Sequence, residues 1–176
     1  CIGLKRKLVV SERNDPTKDG RSMIVSIATT LLYRFTDCIV FQTKWAQSCF
    51  PKGVQKKSVI IPNPVQVTTE AINKTESKIA AVGRLEKQKN HRMLINAFEK
   101  IHKKYPEYKL YIYGEGALRE DLTRQIQDLK LTDFVFLPGN VINIHEKIAD
   151  SKIFVLSSNY EGLSNALIEA MMMGLP

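Results

Sequence analysis

Lys78-Ile-Ala-Ala-Val-Gly-Arg-Leu-Glu-Lys-Gln-Lys-Asn-His-Arg-Met-Leu-Ile-Asn-Ala-Phe-Glu-Lys-Ile101 is the stretch on which the fold turns. A short aliphatic run, Lys78–Val82, closes at Gly83, a charged turn follows, and then Met93, Leu94, Ala97, Phe98 and Ile101 recur at helical spacing. That is one strand–helix unit. The same alternation runs downstream, with candidate strands at Leu110–Tyr113, Phe134–Leu137 and Ile153–Leu156. Between them lie a helix built on Leu118, Leu122, Ile126 and Leu129, a short helix at Ile144–Ala149, and a last one at Ala166–Met173. Short strands separated by longer helices imply an α/β fold, a Rossmann-like parallel sheet with helices on both faces.

Upstream the pattern is different. A helical stretch from Arg21 to Phe35 leads into the apolar run Cys38–Phe41, then a short helix near Trp45–Cys49 and a strand at Ser58–Ile61. Cys38 is expected in the core. Pro62-Asn63-Pro64 halts regular structure, because each proline removes a donor and restricts its neighbour. A boundary is expected there: residues 1–66 form the end of one domain and a crossover, residues 67–176 a second domain, and Thr68–Glu76 the linker.

The chain has 176 residues, 44% hydrophobic and 25% charged, with no apolar run long enough to span a bilayer. Lys and Arg number 26 against 18 Asp and Glu, a net +8. Residues 1–70 hold eleven basic and five acidic side chains, a net +6, so the excess sits early. Such charge suits nucleic acid, phosphate-bearing ligands or an anionic membrane, and composition alone does not choose. Basic residues interleaved with aromatics on a strand are missing, which argues against nucleic acid as a partner. Three Cys without ligand spacing point to free thiols in a reducing, cytoplasmic setting. No Asp-x-Asp pair and no His/Cys cluster is present, so neither a metal nor a cofactor is expected. His91, His102 and His145 fall in helical segments and are expected at the surface or at caps.

Four motifs can carry chemistry. In the first, Gly83-Arg84-Leu85 with Lys89 and Asn90 follows a strand, at the edge where open α/β sheets bind ligands. Arg84 can fork onto phosphate oxygens and Lys89 act as a mobile point charge, as a diphosphate requires; equally, both can be solvated loop charges with Asn90 capping the next helix. In the second, Tyr113-Gly114-Glu115-Gly116, Arg119 stands where a dinucleotide fingerprint needs its third glycine, so that signature fails. A ligand-approach turn and a purely structural turn both remain open. The third, Leu137-Pro138-Gly139-Asn140-Val141, bends the chain at the same sheet edge. The fourth, Glu161-Gly-Leu-Ser-Asn-Ala-Leu-Ile-Glu169, opens a helix with Gly162, Leu163 and Ser164, whose N–H groups suit an anion. Glu161 precedes that helix and Glu169 falls in its second turn; a solvent-facing helix with ordinary acids is the alternative.

In this order and at this spacing, the Gly83-Arg84-Leu85…Lys89 cluster, the Gly-Glu-Gly turn, the Leu-Pro-Gly turn and the two glutamates resemble the retaining glycosyltransferases of group one, or family four. The resemblance covers residues 58–176. Thr36-Asp37-Cys38-Ile39-Val40 through Pro62-Asn63-Pro64-Val65 looks like the end of that family's acceptor-side domain, and Ser11-Glu12-Arg13-Asn14-Asp15-Pro16 is similar to a segment of capsule and exopolysaccharide members.

The resemblance implies a GT-B fold and metal-independent transfer from a nucleotide-diphosphate sugar with retention of configuration. Arg84 and Lys89 would bind the donor diphosphate and stabilise the departing nucleotide. Glu169 would hold the ribose hydroxyls, Glu161 would lie beside the transferred sugar, and Gly162, Leu163 and Ser164 would offer N–H groups. Gly83, Gly114, Gly116 and Gly139 would shape the donor site, with Val141 holding the base through its backbone. The expected donor is a uridine-linked hexose or N-acetylhexosamine, the acceptor a saccharide or polyprenyl-linked saccharide, and the setting bacterial surface-polysaccharide synthesis, with peripheral contact to an anionic membrane. A GDP-mannose-dependent mannosyltransferase, a GT-B epimerase and a nucleotide-sugar-binding module are the alternatives. The chain opens on Cys1 and stops at Pro176, so it is expected to be part of a longer protein and inactive in isolation.

Overall fold

The structure of the chain is a computed structural model that describes residues 6–67 and 76–176. It divides into two compact units: Cys1–Pro64 with Tyr160–Ser164, and Val65–Asn159 with Asn165–Pro176. The expected linker, Thr68–Glu76, lies outside the described residues except at its last position.

The first unit holds a parallel sheet of β1 (Val9–Glu12), β2 (Cys38–Phe41) and β3 (Ser58–Ile60), in that spatial order. Helix α1 (Met23–Leu32) is followed by the 3-10 turn Tyr33–Phe35, then by α2 (Lys44–Ser48) and α3 (Lys52–Gln55). The single helix expected from Arg21 to Phe35 therefore begins later and tightens at its end. Ser22 Oγ accepts from the Val25 N–H and Thr43 Oγ1 from the Ala46 N–H, which fixes the starts of α1 and α2. The core is Tyr33, Ile39, Phe41, Ala46, Phe50 and Val54. Ile39 and Phe41 take the inward positions of β2, and strand alternation puts Cys38 on the other face, half-buried rather than in the core. Tyr33 donates its phenolic hydrogen to Glu12 at 2.8 Å, and Arg21 pairs with Glu12 at 2.8 Å. Burial, then the Glu12 carboxylate, push the Tyr33 hydroxyl up to about 12.

The second unit is the doubly wound arrangement that the alternation implies. Its strands are β4 (Glu76–Val82), β5 (Lys109–Tyr113), β6 (Val135–Gly139) and β7 (Ser151–Phe154), all parallel, in the order β6-β5-β4-β7. Helices α4 (His91–His102), α5 (Arg119–Asp128), α6 (Ile144–Ile148) and α7 (Asn165–Met172) connect or follow them. Winding proceeds outward from β4 to β6 and then returns to place β7 on β4's other side. The reversal creates a switch point at the carboxyl end of β4.

Strand alternation divides the core. Ile79, Ala81, Leu110 and Ile112 face one cluster with Leu94, Ile95, Phe98, Leu122 and Ile126; Ala80, Tyr113 and Phe154 face the other with Ile148, Ala170 and Met173. On α4 the buried stripe is His91, Leu94, Ile95 and Phe98, rotated from the expected one, so Met93 and Ala97 are exposed. Gln125 on α5 ties the two helices by donating Nε2 hydrogens to Arg92 O at 3.0 Å and Asn96 Oδ1 at 2.7 Å. Lys78, buried in β4, reaches Asp150 at 2.7 Å and the Lys147 carbonyl at 2.5 Å, and lies over the Tyr111 ring. That pairing satisfies an ammonium which, unpaired, would be costly to bury.

Phe98 is 1% exposed whereas Met93, on the same helix, is 52% exposed. Urea unfolding of Phe98→Ala should show a loss of about 3–5 kcal/mol, while Met93→Ala stays within about 0.5 kcal/mol of the parent. Equal effects would contradict the assigned helix face.

Candidate functional site

Three strand ends meet at the carboxyl edge of the second unit's sheet: Gly83 just after β4, Gly114 just after β5, and Gly139 closing β6. They surround a pocket of about 240 Å³ whose wall also includes Arg84, Tyr113, Val141 and Ile144. The backbones are bonded to one another there. The Gly83 N–H donates to Tyr113 O, the Leu85 N–H to Glu115 O, and the Gly114 N–H to Gly139 O, each at 2.9 Å. Gly114 has φ +141°, and a Cβ on it would overlap the Gly83 carbonyl oxygen. Any side chain at 114 would therefore both strain the turn and force β4 and β5 apart at the pocket.

Gly139 shows the second close approach. Its φ is +83°, and a Cβ would lie 2.7 Å from Glu115 Oε1. β6 runs two residues past its expected end and carries Pro138, which an edge strand tolerates because one side of its backbone needs no donor. Glu115 in turn receives a two-pronged pair from Arg119, Nε to Oε2 at 2.7 Å and Nη2 to Oε1 at 2.5 Å, and Arg119 Nη2 also donates to Leu137 O at 3.1 Å. Arg119 holds the Glu115 carboxyl below its usual range. The residue that breaks the dinucleotide fingerprint thus clamps the Gly-Glu-Gly turn to the Leu-Pro-Gly turn.

The two expected cations differ in setting. Arg84 has a 65% exposed side chain and pairs with Glu86 at 3.1 Å, an exposed contact too weak to hold the guanidinium in one place. Lys89 lies across Gly83: a Cβ on that glycine would come 3.1 Å from the lysine's Cδ. The loop carrying Lys89 is tied down by its neighbours, since Ser157 Oγ donates to Lys89 O at 2.7 Å and the Asn159 N–H to Gln88 O at 2.8 Å. Asn90 stands at the N-terminus of α4 in the left-handed conformation, φ 49°, and makes no side-chain cap. Instead its amide donates to Asn159 Oδ1 at 2.9 Å.

Glu169 sits in the second turn of α7, and His145 Nε2, from α6, lies 3.3 Å from its Oε2. Of the twelve expected site residues, Gly83, Arg84, Gly114, Gly139 and Val141 line the pocket. Lys89, Gly116 and Glu169 lie elsewhere in the same unit; Gly116 packs on Leu85, whose carbonyl oxygen would be 2.6 Å from its Cβ. Glu161, Gly162, Leu163 and Ser164 belong with the first unit, where the Gly162 backbone packs against the Arg13 carbonyl. Among the described residues no group of three or more His, Cys, Asp or Glu is placed to hold a metal ion, and no helix is long and apolar enough to cross a membrane.

Sequence reasoning missed Glu115, Arg119 and the histidines. His91 is 4% exposed, not at the surface, because it begins the buried stripe of α4. Its ring lies against the Gly83 and Arg84 backbone, and neither ring nitrogen has a hydrogen-bond partner of good geometry. Burial, aided by the Lys89 charge, holds its pKa below the ordinary histidine value.

Comparison with known proteins places these features in context. Residues 65–176 match the family described as "Glycosyl transferases group 1". The chain is 34% identical, over 99% of its length, to a glycosyltransferase of Methanocaldococcus jannaschii, covering 48% of that protein. It is 31% identical over 97% of its length to the N-acetylgalactosamine-N,N'-diacetylbacillosaminyl-diphospho-undecaprenol 4-alpha-N-acetylgalactosaminyltransferase of Campylobacter jejuni, covering 50% of it. The chain therefore spans about half the length of these relatives. Among solved structures, a Staphylococcus aureus TarM mutant in complex with UDP superposes with a TM-score of 0.83 at 21% identity, over 97% of this chain and 36% of that one. Anabaena HepE in complex with UDP and glucose gives 0.83 at 19%, over 97% and 52%. At these identities the likeness concerns the fold.

A buried neutral His91 makes stability depend on pH with a definite sign. The unfolded chain takes up a proton as pH drops through about 6.5 while the folded one resists, so stability is fully present above that pH and is lost below it. Urea titrations between pH 7.5 and 5 should show this loss, with a shallower pH slope in His91→Gln. Equal slopes in the two proteins would contradict the assignment.

Proposed function

The chain belongs to the group 1 glycosyl transferases and has their GT-B fold; from that premise we propose that the whole protein transfers a glycosyl group from a nucleotide-diphosphate sugar to a saccharide or polyprenyl-linked acceptor, with retention of anomeric configuration. The observation that carries this reading is the pocket of about 240 Å³ at the carboxyl edge of the sheet, where three strand ends converge beside Arg84. Gly83, Gly114 and Gly139 leave backbone open to a ligand there, which suits a planar base hydrogen-bonded edge-on and a diphosphate lying over glycines.

The roles follow from the chemistry of each group. Arg84 and Lys89 neutralise the diphosphate and the charge that grows on it as the bond to the anomeric carbon breaks. This is electrostatic stabilisation of a leaving group without a metal ion. The base rests against the Val141 backbone, and Glu169 accepts hydrogen bonds from the ribose hydroxyls. Glu161 faces the transferred sugar, with Gly162, Leu163 and Ser164 presenting N–H groups to its oxygens. The acceptor hydroxyl forms the new bond on the face the nucleotide leaves, its proton passes to the departing phosphate, and no protein base is required. A uridine-linked N-acetylhexosamine or hexose is the donor: the Campylobacter relative is named for N-acetylgalactosaminyl transfer, and the TarM and HepE structures hold UDP.

The undecaprenol-linked acceptor in that relative's name supports a saccharide growing on a polyprenyl carrier, in surface-polysaccharide synthesis. The net +6 of residues 1–70 supports a cytoplasmic protein held peripherally at an anionic membrane.

Calorimetric titration of the whole protein with UDP and GDP tests the reading. UDP should bind more tightly, and Arg84→Ala should weaken it by tenfold or more, on the order of a lost charge-assisted hydrogen bond. Turnover should survive chelation of divalent ions by EDTA. Preference for GDP would move the donor to guanosine-linked mannose. Binding without transfer to any saccharide acceptor would leave an epimerase or a binding module, and UDP affinity indifferent to Arg84→Ala would overturn the site.

A further inference from the structure

His145 has no place in the chemistry proposed above, yet its placement is specific. It lies on α6 next to Ile144, a residue of the pocket wall, and its side chain is only 15% exposed. Nε2 is sealed from solvent and lies 3.3 Å from Glu169 Oε2 without the alignment of a formed hydrogen bond, while the Glu169 side chain is 23% exposed. The two helices that carry the pair pack into one apolar cluster, with Ile144, Ile148, Ala166 and Ala170 among its members. The relative position of the two side chains is therefore set by the core of the second unit and not by a mobile loop.

A glutamate that must accept two hydrogen bonds from a vicinal diol needs its carboxylate plane fixed. The last torsion of glutamate is broad and two-fold, so an unrestrained carboxylate swings through many orientations that present only one oxygen to the diol. A hydrogen on His145 Nε2, brought into line with Oε2 when a diol engages the carboxylate, removes that freedom. The occupied oxygen keeps a second lone pair, and Oε1 keeps both of its own, so two hydroxyl groups can still be received. A histidine is suited to this task because it donates from a rigid ring. The proton must reside on Nε2, either as the neutral tautomer or as imidazolium, for the contact to attract.

We infer that His145 is a positioning residue for nucleoside recognition: through Nε2 it orients the Glu169 carboxylate so that the protein discriminates a ribose with a vicinal diol from a deoxyribose. The inference rests on the reading of Glu169 as the ribose ligand, and the experiment separates the two. Binding of UDP and of 2′-deoxy-UDP is measured in the whole protein, in His145→Leu, which keeps the bulk and removes the donor, and in His145→Gln, which restores an N–H donor of similar reach. The readout is the ratio of the two affinities, which general damage to the fold would not change selectively.

The parent protein should prefer UDP by about tenfold, the scale of one hydrogen bond to a charged acceptor. His145→Leu should lose most of that preference, through weaker UDP binding, and His145→Gln should recover it. In turnover the same loss should appear in the donor KM with kcat little changed. Full preference retained in His145→Leu overturns the inference and leaves Glu169 as ribose ligand. No preference in the parent protein overturns the reading of Glu169 and the inference with it. Should His145→Leu fail to fold, a preference in His145→Gln unlike the parent's would equally overturn the role of the Nε2 donor.

Discussion

The second unit depends on a contact in which no side chain takes part: the backbone of Gly114 lies against the carbonyl of Gly83, closer than any Cβ would permit. β4 and β5 pair from Lys78 to Val82 and from Lys109 to Tyr113, but a sheet normally splays at its carboxyl edge as loops depart. Here the loops stay together, because Gly83, Leu85 and Gly114 continue the backbone hydrogen bonding beyond the strands. The pocket exists because three chains leave the sheet without separating. Its wall combines the glycines at these strand ends with Arg84, Tyr113, Val141 and Ile144, and the glycines lose no side-chain entropy when a ligand binds.

Around that backbone frame the charged groups divide into two kinds. Some are anchored: Glu115 and Arg119 clamp two turns together, and Lys78 crosses from β4 to the end of α6. Others are left exposed, above all Arg84, whose pairing with Glu86 at the surface is weak. The division matches the work proposed for them. Groups that shape the cavity must not move, whereas a cation that meets a diphosphate entering from solvent has to reach for it and then let go. Lys89 is intermediate, with a loop held by Ser157 and Asn159 and an aliphatic chain draped over Gly83.

Much of this was legible in the sequence, for identifiable reasons. The α/β alternation was readable because three of the four strands of the second unit, β4, β5 and β6, are short apolar runs closed by Gly83, Gly114 and Gly139, and a glycine at a strand end is a strong local signal. β1 escaped notice because Val9-Val10-Ser11-Glu12 has little pattern of its own and is a strand by virtue of pairing with β2. α3, four residues that include Gly53, is similarly context-dependent. The burial of His91 was hidden by an error of phase: counting the α4 stripe from Met93 leaves His91 outside it, whereas the true stripe begins there. The His145–Glu169 pair was unreadable in principle, since it depends on how two helices pack; Glu115 and Arg119 stand at i,i+4 spacing, and what the sequence hides is the reach of Arg119 to Leu137 O. The same holds for the association of Tyr160–Ser164 with the first unit, which no local pattern announces.

The central claim is that the space between Gly83, Gly114 and Gly139 is where a nucleoside diphosphate lies. A crystal structure of the whole protein with UDP tests it most directly. The account predicts the diphosphate within hydrogen-bonding distance of Arg84 and Lys89, the uracil edge on the Val141 backbone, and both ribose hydroxyls on Glu169. A nucleotide bound away from that sheet edge, with the pocket filled only by solvent, would contradict it.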